Sequence, residues 1–213
     1  MNRMGWITAL ILIVIQTVIV TVLIPTDWVE RVEHREYQWL GSTHTEDTYQ
    51  WIRETGQSWH QTMIHDSGVS DGLRWMFFPD QYPPPPDAEG MEGIGHRLWF
   101  PFLEERGRAL DRVTELTLVR IAGLVAWMPL FLLALIPALW DGVAEWRLRQ
   151  HTFDYPSPLI HRYGVGLSGI LLLATFLALL SPVPIPPMVM PLLVTVTLAI
   201  TGMLVIGNLP KSL

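Results

Sequence analysis

The sequence predicts an all-α membrane protein: four transmembrane helices, with a helical, Trp-rich periplasmic segment between the first and the second. Three observations carry this reading. The 213-residue chain is 50% hydrophobic but only 16% charged, with mean hydropathy +0.30, whereas a soluble chain averages about 25% charged residues. Four stretches approach the roughly 20 apolar residues that a bilayer-crossing helix needs. Six of the ten Trp fall between the first two of these stretches, and Trp concentrates at membrane–water interfaces.

The first stretch, Gly5 to Ile24, has no charge and only Thr8, Gln16, Thr17 and Thr21 as polar members. It is longer than the about 7–15 residue core of a cleaved signal, and Ile24-Pro25-Thr26-Asp27 offers no small-residue cleavage site. Residues 1–24 are therefore expected to form an uncleaved signal anchor. The second stretch covers 116–140 and contains one charge, Arg120. An intramembrane charge is a functional candidate by default. Arg120 lies close to the periplasmic end, so snorkelling or a salt bridge to a neighbour such as Glu115 is expected. Pro129 and Pro137 remove helix hydrogen bonds and are expected to kink this span. The third stretch starts at Tyr163 and the fourth at Met188; Pro182, Pro184, Pro186 and Pro187 mark the turn of a hairpin spanning 163–213.

Basic residues in short segments set orientation. Arg3, Arg147, Arg149, Arg162 and Lys211 place both termini and the 141–162 loop in the cytoplasm of a bacterium. The segment 25–115 is then periplasmic. It holds eight Arg against seventeen Asp and Glu, and long segments translocate largely regardless of charge.

Within 25–115, Asp27 and Glu30 have the spacing of a capping box. They are expected to open a helix through Trp28, Val32, Tyr37 and Trp39 that Gly41 ends. A second helix is expected from Ser42 or Thr43 through Tyr49, Ile52, Trp59 and Met63, closed by Asp66-Ser67-Gly68. A third starts near Phe100-Pro101 and runs unbroken into the second span. The Trp residues fit either a small helical core or a cap lying on the membrane or a partner.

Composition excludes several functions. There is no Cys, so disulfides and thiolate chemistry are out, and fourteen basic residues in a chain of charge −6 do not make a nucleic-acid surface. His60 and His65 are five apart, unlike the i, i+4 pair of a helical zinc motif, so no metal and no cofactor are expected. Gly166-Leu167-Ser168-Gly169 is not a nucleophile elbow, no phosphate loop is present, and no enzyme activity is expected. The 141–162 loop concentrates Asp141, Arg147, Arg149, His161 and Arg162 beside the span ends, which makes it the expected partner-docking surface.

Those residues also carry a resemblance. The run from Arg120 through Pro129, Asp141-Gly142, Arg147 and Arg149 to His161-Arg162, followed by a hairpin and a basic tail, resembles an uncharacterised family of inner-membrane proteins from integrating conjugative elements and conjugative plasmids. The sequence differs from that pattern in Gln150-His151-Thr152 and in Pro156 and Pro158. The resemblance implies a non-enzymatic accessory of DNA transfer, TraJ-like, acting with the coupling ATPase or other membrane proteins of a type IV secretion channel. A second copy of the chain counts among the candidate partners. The competing reading is a small transporter or channel subunit, against which stand the few polar residues in the spans and the lack of an internal repeat.

Overall fold

A computed structural model describes residues 3–78, 99–151 and 158–207. They form eight α-helices and one π-helical segment, with no strand among the described residues: α1 (Arg3–Leu23), α2 (Thr26–Thr43), α3 (Glu46–His60), the π segment (Gln61–Asp66), α4 (Val69–Phe77), α5 (Phe100–Ala126), α6 (Met128–His151), α7 (Pro158–Leu179) and α8 (Val189–Gly207). By contacts the chain divides into two compact units. One holds Gln16–Ala122 with Leu180–Pro184; the other holds Met1–Ile15, Gly123–Leu179 and Ile185–Leu213.

The first of these units is built on helical periodicity. The buried residues of α2 are Val29, Val32, Glu36 and Leu40; those of α3 are Ile52, Gly56 and His60. In α5, Ala109, Val113, Leu116, Thr117, Val119 and Ala122 are buried. Steps of three and four put each set on one helix face. Val20, Val29, Ala109 and Val113 make one core cluster, with Ile24 packed against it. Trp residues do not fill this core. Trp28, Trp51, Trp75 and Trp99 are exposed, and Trp28 Nε1 donates to the Pro182 carbonyl at 2.8 Å. The core cluster of this unit is small and aliphatic, and these four Trp rings lie outside it.

Several local expectations are corrected. The Asp27–Glu30 capping box does not form: Pro25 is the N-cap, without a side-chain cap bond, and the neighbouring Thr26 hydroxyl donates instead to the Glu105 carbonyl of α5 at 3.2 Å. Gly41 does not end α2, which continues to Thr43. Thr45, not Ser42 or Thr43, is the N-cap of α3. The turn at 66–68 is as expected: Gly68 has φ +78, a left-handed conformation that glycine adopts without a Cβ penalty.

In the other unit, α6 packs against α8, and α7 also packs against α8. The α6–α8 approach is close. A Cβ on Gly142 would meet the Met203 backbone at 3.1–3.2 Å, and one on Gly202 would meet Leu139 Cδ2 at 2.8 Å. Small residues let helix backbones approach in this way. The third helix of the sequence reading runs unbroken from Phe100 to Ala126, then breaks at Trp127, two residues before Pro129. Pro129 thereby sits in the first turn of α6, where its missing N–H costs nothing, and Pro137 lies inside the helix.

Two helices are long and apolar enough to cross a membrane, with windows Met128–Leu148 and Val189–Gly207. Shorter apolar stretches lie at Ile7–Val20 in α1 and Gly169–Leu179 in α7. The Met128–Leu148 window starts twelve residues after the expected position 116. The apolar positions of 116–122 face protein: Leu116, Val119 and Ala122 are buried in the first unit. Asp141-Gly142 is likewise helix rather than loop, since α6 continues to His151.

Candidate functional site

The polar chemistry of the first unit is concentrated where α5 meets α2, α3 and the π segment. Arg120 of α5 is the centre of its largest network. Its Nε donates to Glu36 Oε2 at 3.0 Å and its Nη2 to Glu36 Oε1, a two-pronged pair. Nη1 donates to the Ser181 carbonyl at 2.7 Å and Nη2 to the Val183 carbonyl at 2.8 Å. The two side chains are only 8% and 9% exposed. One guanidinium thus ties α2, α5 and the 180–184 segment together, using the planar fork that lysine lacks. The expected partner Glu115 is engaged elsewhere: it accepts from Gln57 Nε2 at 3.0 Å.

About two turns before Arg120 on α5, Arg112 donates to Glu33 at 3.1 Å and sits 3.2 Å from Glu30. Burial pushes the Glu33 carboxyl above its ordinary value, Glu115 adds to that push, and Arg112 opposes it. An acid whose pKa is raised by folding binds more protons folded than unfolded between the two values, so stability falls as pH rises through that window. Glu33→Gln is therefore expected to abolish a decline in stability that begins near pH 4.5, the ordinary value, and to gain under about 1 kcal/mol at neutral pH, since the group is partly solvated. Thermal melts of both proteins between acidic and neutral pH check this; a Gln variant with an unchanged pH slope would refute it. Nearby, the Tyr37 hydroxyl is buried without a hydrogen-bond partner among the described residues, and burial together with Glu115 and Glu33 raises its pKa well beyond the usual phenol range.

The third cluster corrects the spacing argument about histidines. On an α-helix, residues five apart point roughly 140° away from each other. The π segment, which begins at Gln61, closes hydrogen bonds to the fifth residue instead and brings the two rings together, with centroids 5.1 Å apart in an edge-to-face arrangement. His60 Nε2 lies 3.0 Å and His65 Nε2 3.7 Å from Asp111 Oδ1 of α5. Two imidazoles and a carboxylate are a donor set suited to a divalent transition metal. Nothing in the residue types of 61–66 announces a π turn, so sequence reasoning had no signal for this cluster.

The sequence-derived docking residues are placed as follows. Asp141 and Arg147 are both exposed on α6, six positions apart and so roughly 120° around the helix. Arg147 borders a shallow groove along α6 with Trp140, Val143, Ala144 and Leu148. Arg149 belongs to α6, and His161 and Arg162 to α7, but their side chains lie outside the described residues, as do residues 152–157 and Lys211.

Two comparisons of the chain, with curated proteins and with solved structures, give no match. A protein-family model does match, over residues 20–208, and its description reads IncC plasmid conjugative DNA transfer protein DtrJ-like. That range includes the Arg120–Glu36 network, the His60–His65–Asp111 cluster and α6 to α8. The chain belongs to the DtrJ-like family of conjugative DNA transfer proteins.

Proposed function

We propose that this protein is a non-enzymatic inner-membrane accessory of conjugative DNA transfer through a type IV secretion channel, with both termini cytoplasmic, and that it docks the coupling ATPase through the cationic end of α6. The observation that carries the reading is the state of α6 in a chain of this family. Within its 21-residue apolar stretch only 11% of the 18-residue span window is buried, and Leu130, Leu132, Leu133, Ile136 and Trp140 are exposed. A soluble core helix would bury most of that surface, and a contiguous exposed apolar face needs a covering phase. Lipid supplies one. Arg147 stands at the end of that stretch, and the same helix runs on past it to His151, carrying Arg149.

Four spans follow if α1 and α7 complete the set begun by α6 and α8. The unburied helix α4 fits the same setting. Val69, Leu73, Trp75, Met76 and Phe77 are all exposed, and an amphipathic helix of this kind rests at a headgroup interface. The groove beside Arg147 offers a partner an apolar floor with a cation at its edge.

Reporter fusions after Gly56 and after His151 are expected to read periplasm and cytoplasm respectively. Arg147→Glu with Arg149→Glu is expected to reduce co-purification with the coupling ATPase and to lower transfer frequency. Raised salt is expected to weaken the wild-type contact, because exposed charges are screened over about 8 Å at physiological ionic strength. A doubly reversed protein that keeps its topology, its partner and its transfer frequency would make this end of α6 a mere connector.

A further inference from the structure

We propose that His60, His65 and Asp111 form a binding site for a single divalent transition metal of the Zn2+ class, which fastens the π segment to α5. This inference is independent of the coupling-ATPase reading. Four observations support it.

The donor atoms converge. The three ligand atoms lie within 4.8 Å of one another, and the two separations to Asp111 Oδ1 are 3.0 and 3.7 Å. Zinc binds His nitrogen and carboxylate oxygen at about 2.0–2.2 Å, so two ligands on a tetrahedral ion sit about 3.3 Å apart. The two distances straddle that value, and only the His60–His65 gap has to close.

The buried ring nitrogen is poorly aligned with its partner. The His60 side chain is 8% exposed, and among the described residues its Nε2 meets Asp111 Oδ1 at 3.0 Å without hydrogen-bond geometry. A cation held between the two atoms would bond to each of them in place of that misaligned contact.

The backbone around the site is specialised. π turns inside helices are rare and occur often at functional sites. Here the turn follows directly on His60 and ends at Asp66, and it is what puts His65 beside His60. The Gly68 amide then donates to the His65 carbonyl at 3.1 Å, and Ser67 Oγ to the Met63 carbonyl, so the turn that carries His65 is tied to the residues that follow it.

The cluster is also open enough to load. The side chains of His65 and Asp111 are 40% and 41% exposed, which leaves an entry path and a fourth coordination position for water. Three protein ligands plus water is the usual composition of an open zinc site.

The test uses the full-length protein purified in detergent, stripped with chelator and titrated with Zn2+ alone. One equivalent per chain is expected to bind, with a rise in thermal midpoint of roughly 5–10 °C at a hundredfold excess over Kd. His65→Ala and Asp111→Asn replace half-exposed side chains, so both variants should fold. Each is expected to weaken binding by more than the about 10–100-fold typical of losing an outer-sphere partner. His34→Ala removes an exposed histidine far along the chain, bonded only to Gln38 among its described contacts, and should bind as the wild type does. Tetrahedral Co2+ absorption in the wild type and its loss in His65→Ala give a second readout. Absence of Zn2+ binding, or binding that survives in both His65→Ala and Asp111→Asn, would overturn the site.

Discussion

Arg120→Met is expected to destabilise the protein by about 3–5 kcal/mol, the range for removing one partner of a buried ion pair. In a chain of 213 residues this corresponds to a fall in thermal midpoint of roughly 6–20 °C. The size follows from what is left behind. Glu36 would remain 9% exposed with its cation gone, and the Ser181 and Val183 carbonyls would lose their donors. Arg120→Lys keeps the charge but gives up the fork, so an intermediate loss is expected. The double variant Glu36→Leu with Arg120→Met should be less destabilised than the sum of the two single changes, because an apolar pair leaves no uncompensated charge. Hydrogen exchange adds a specific readout: the amides of Ser181 and Val183 should exchange faster in Arg120→Met than in the wild type. If Arg120→Met melted within about 1 °C of the wild type, the pair would be an ornament of the surface rather than a fastener.

The same residue shows how far the sequence could be read. Arg120 stood out because a charge in an apolar run is rare. Its partner was not legible, since Glu36 lies 84 positions away and Glu115 offered a shorter-range alternative. The apolar run around it was ambiguous for a physical reason. A row of Leu, Val and Ala has the same composition whether it faces lipid or another helix. Residues 116–122 pack against protein, while 128–148 remain largely uncovered. Periodicity did locate the helices of 26–66, because steps of three and four are a local property that survives in any context. It could not locate their ends. Thr26 gives its hydroxyl to Glu105, a tertiary contact that local pattern does not contain, and Gly41 is carried inside α2.

Functional legibility divides along similar lines. The stretch from Arg120 to Arg162 carried the resemblance to conjugative membrane proteins, and the family match over 20–208 agrees with that assignment. The histidine cluster was hidden by a backbone departure. A spacing of five is uninformative on an α-helix and becomes a ligand spacing only after the π turn is formed.

Gly56→Ala is expected to destabilise the protein by about 1–3 kcal/mol or more, although the same substitution in an open helix stabilises. A glycine in a helix interior costs about 1 kcal/mol relative to alanine, so propensity alone favours the change. Packing reverses the sign. A Cβ at position 56 would lie 2.6 Å from Val119 Cα and 2.8 Å from Val119 N. These are backbone atoms of α5, and no rotamer change can move them aside. Relief requires α3 to retreat from α5, which strains the Ile52 and Val119 packing and brings the overpacking cost of about 1–3 kcal/mol or more. Gly107→Ala is the matched control: it lies in α5 with nothing within 4 Å of its added Cβ, and a gain of up to about 1 kcal/mol is expected there. Gly56 also sits one turn before His60 on the same face of α3. Retreat of α3 would carry His60 away from Asp111, so Gly56→Ala should weaken Zn2+ binding as well as lower the thermal midpoint, whereas Gly107→Ala should leave binding intact. Two alanine variants that melt alike would show that α3 and α5 are not in backbone contact at this point.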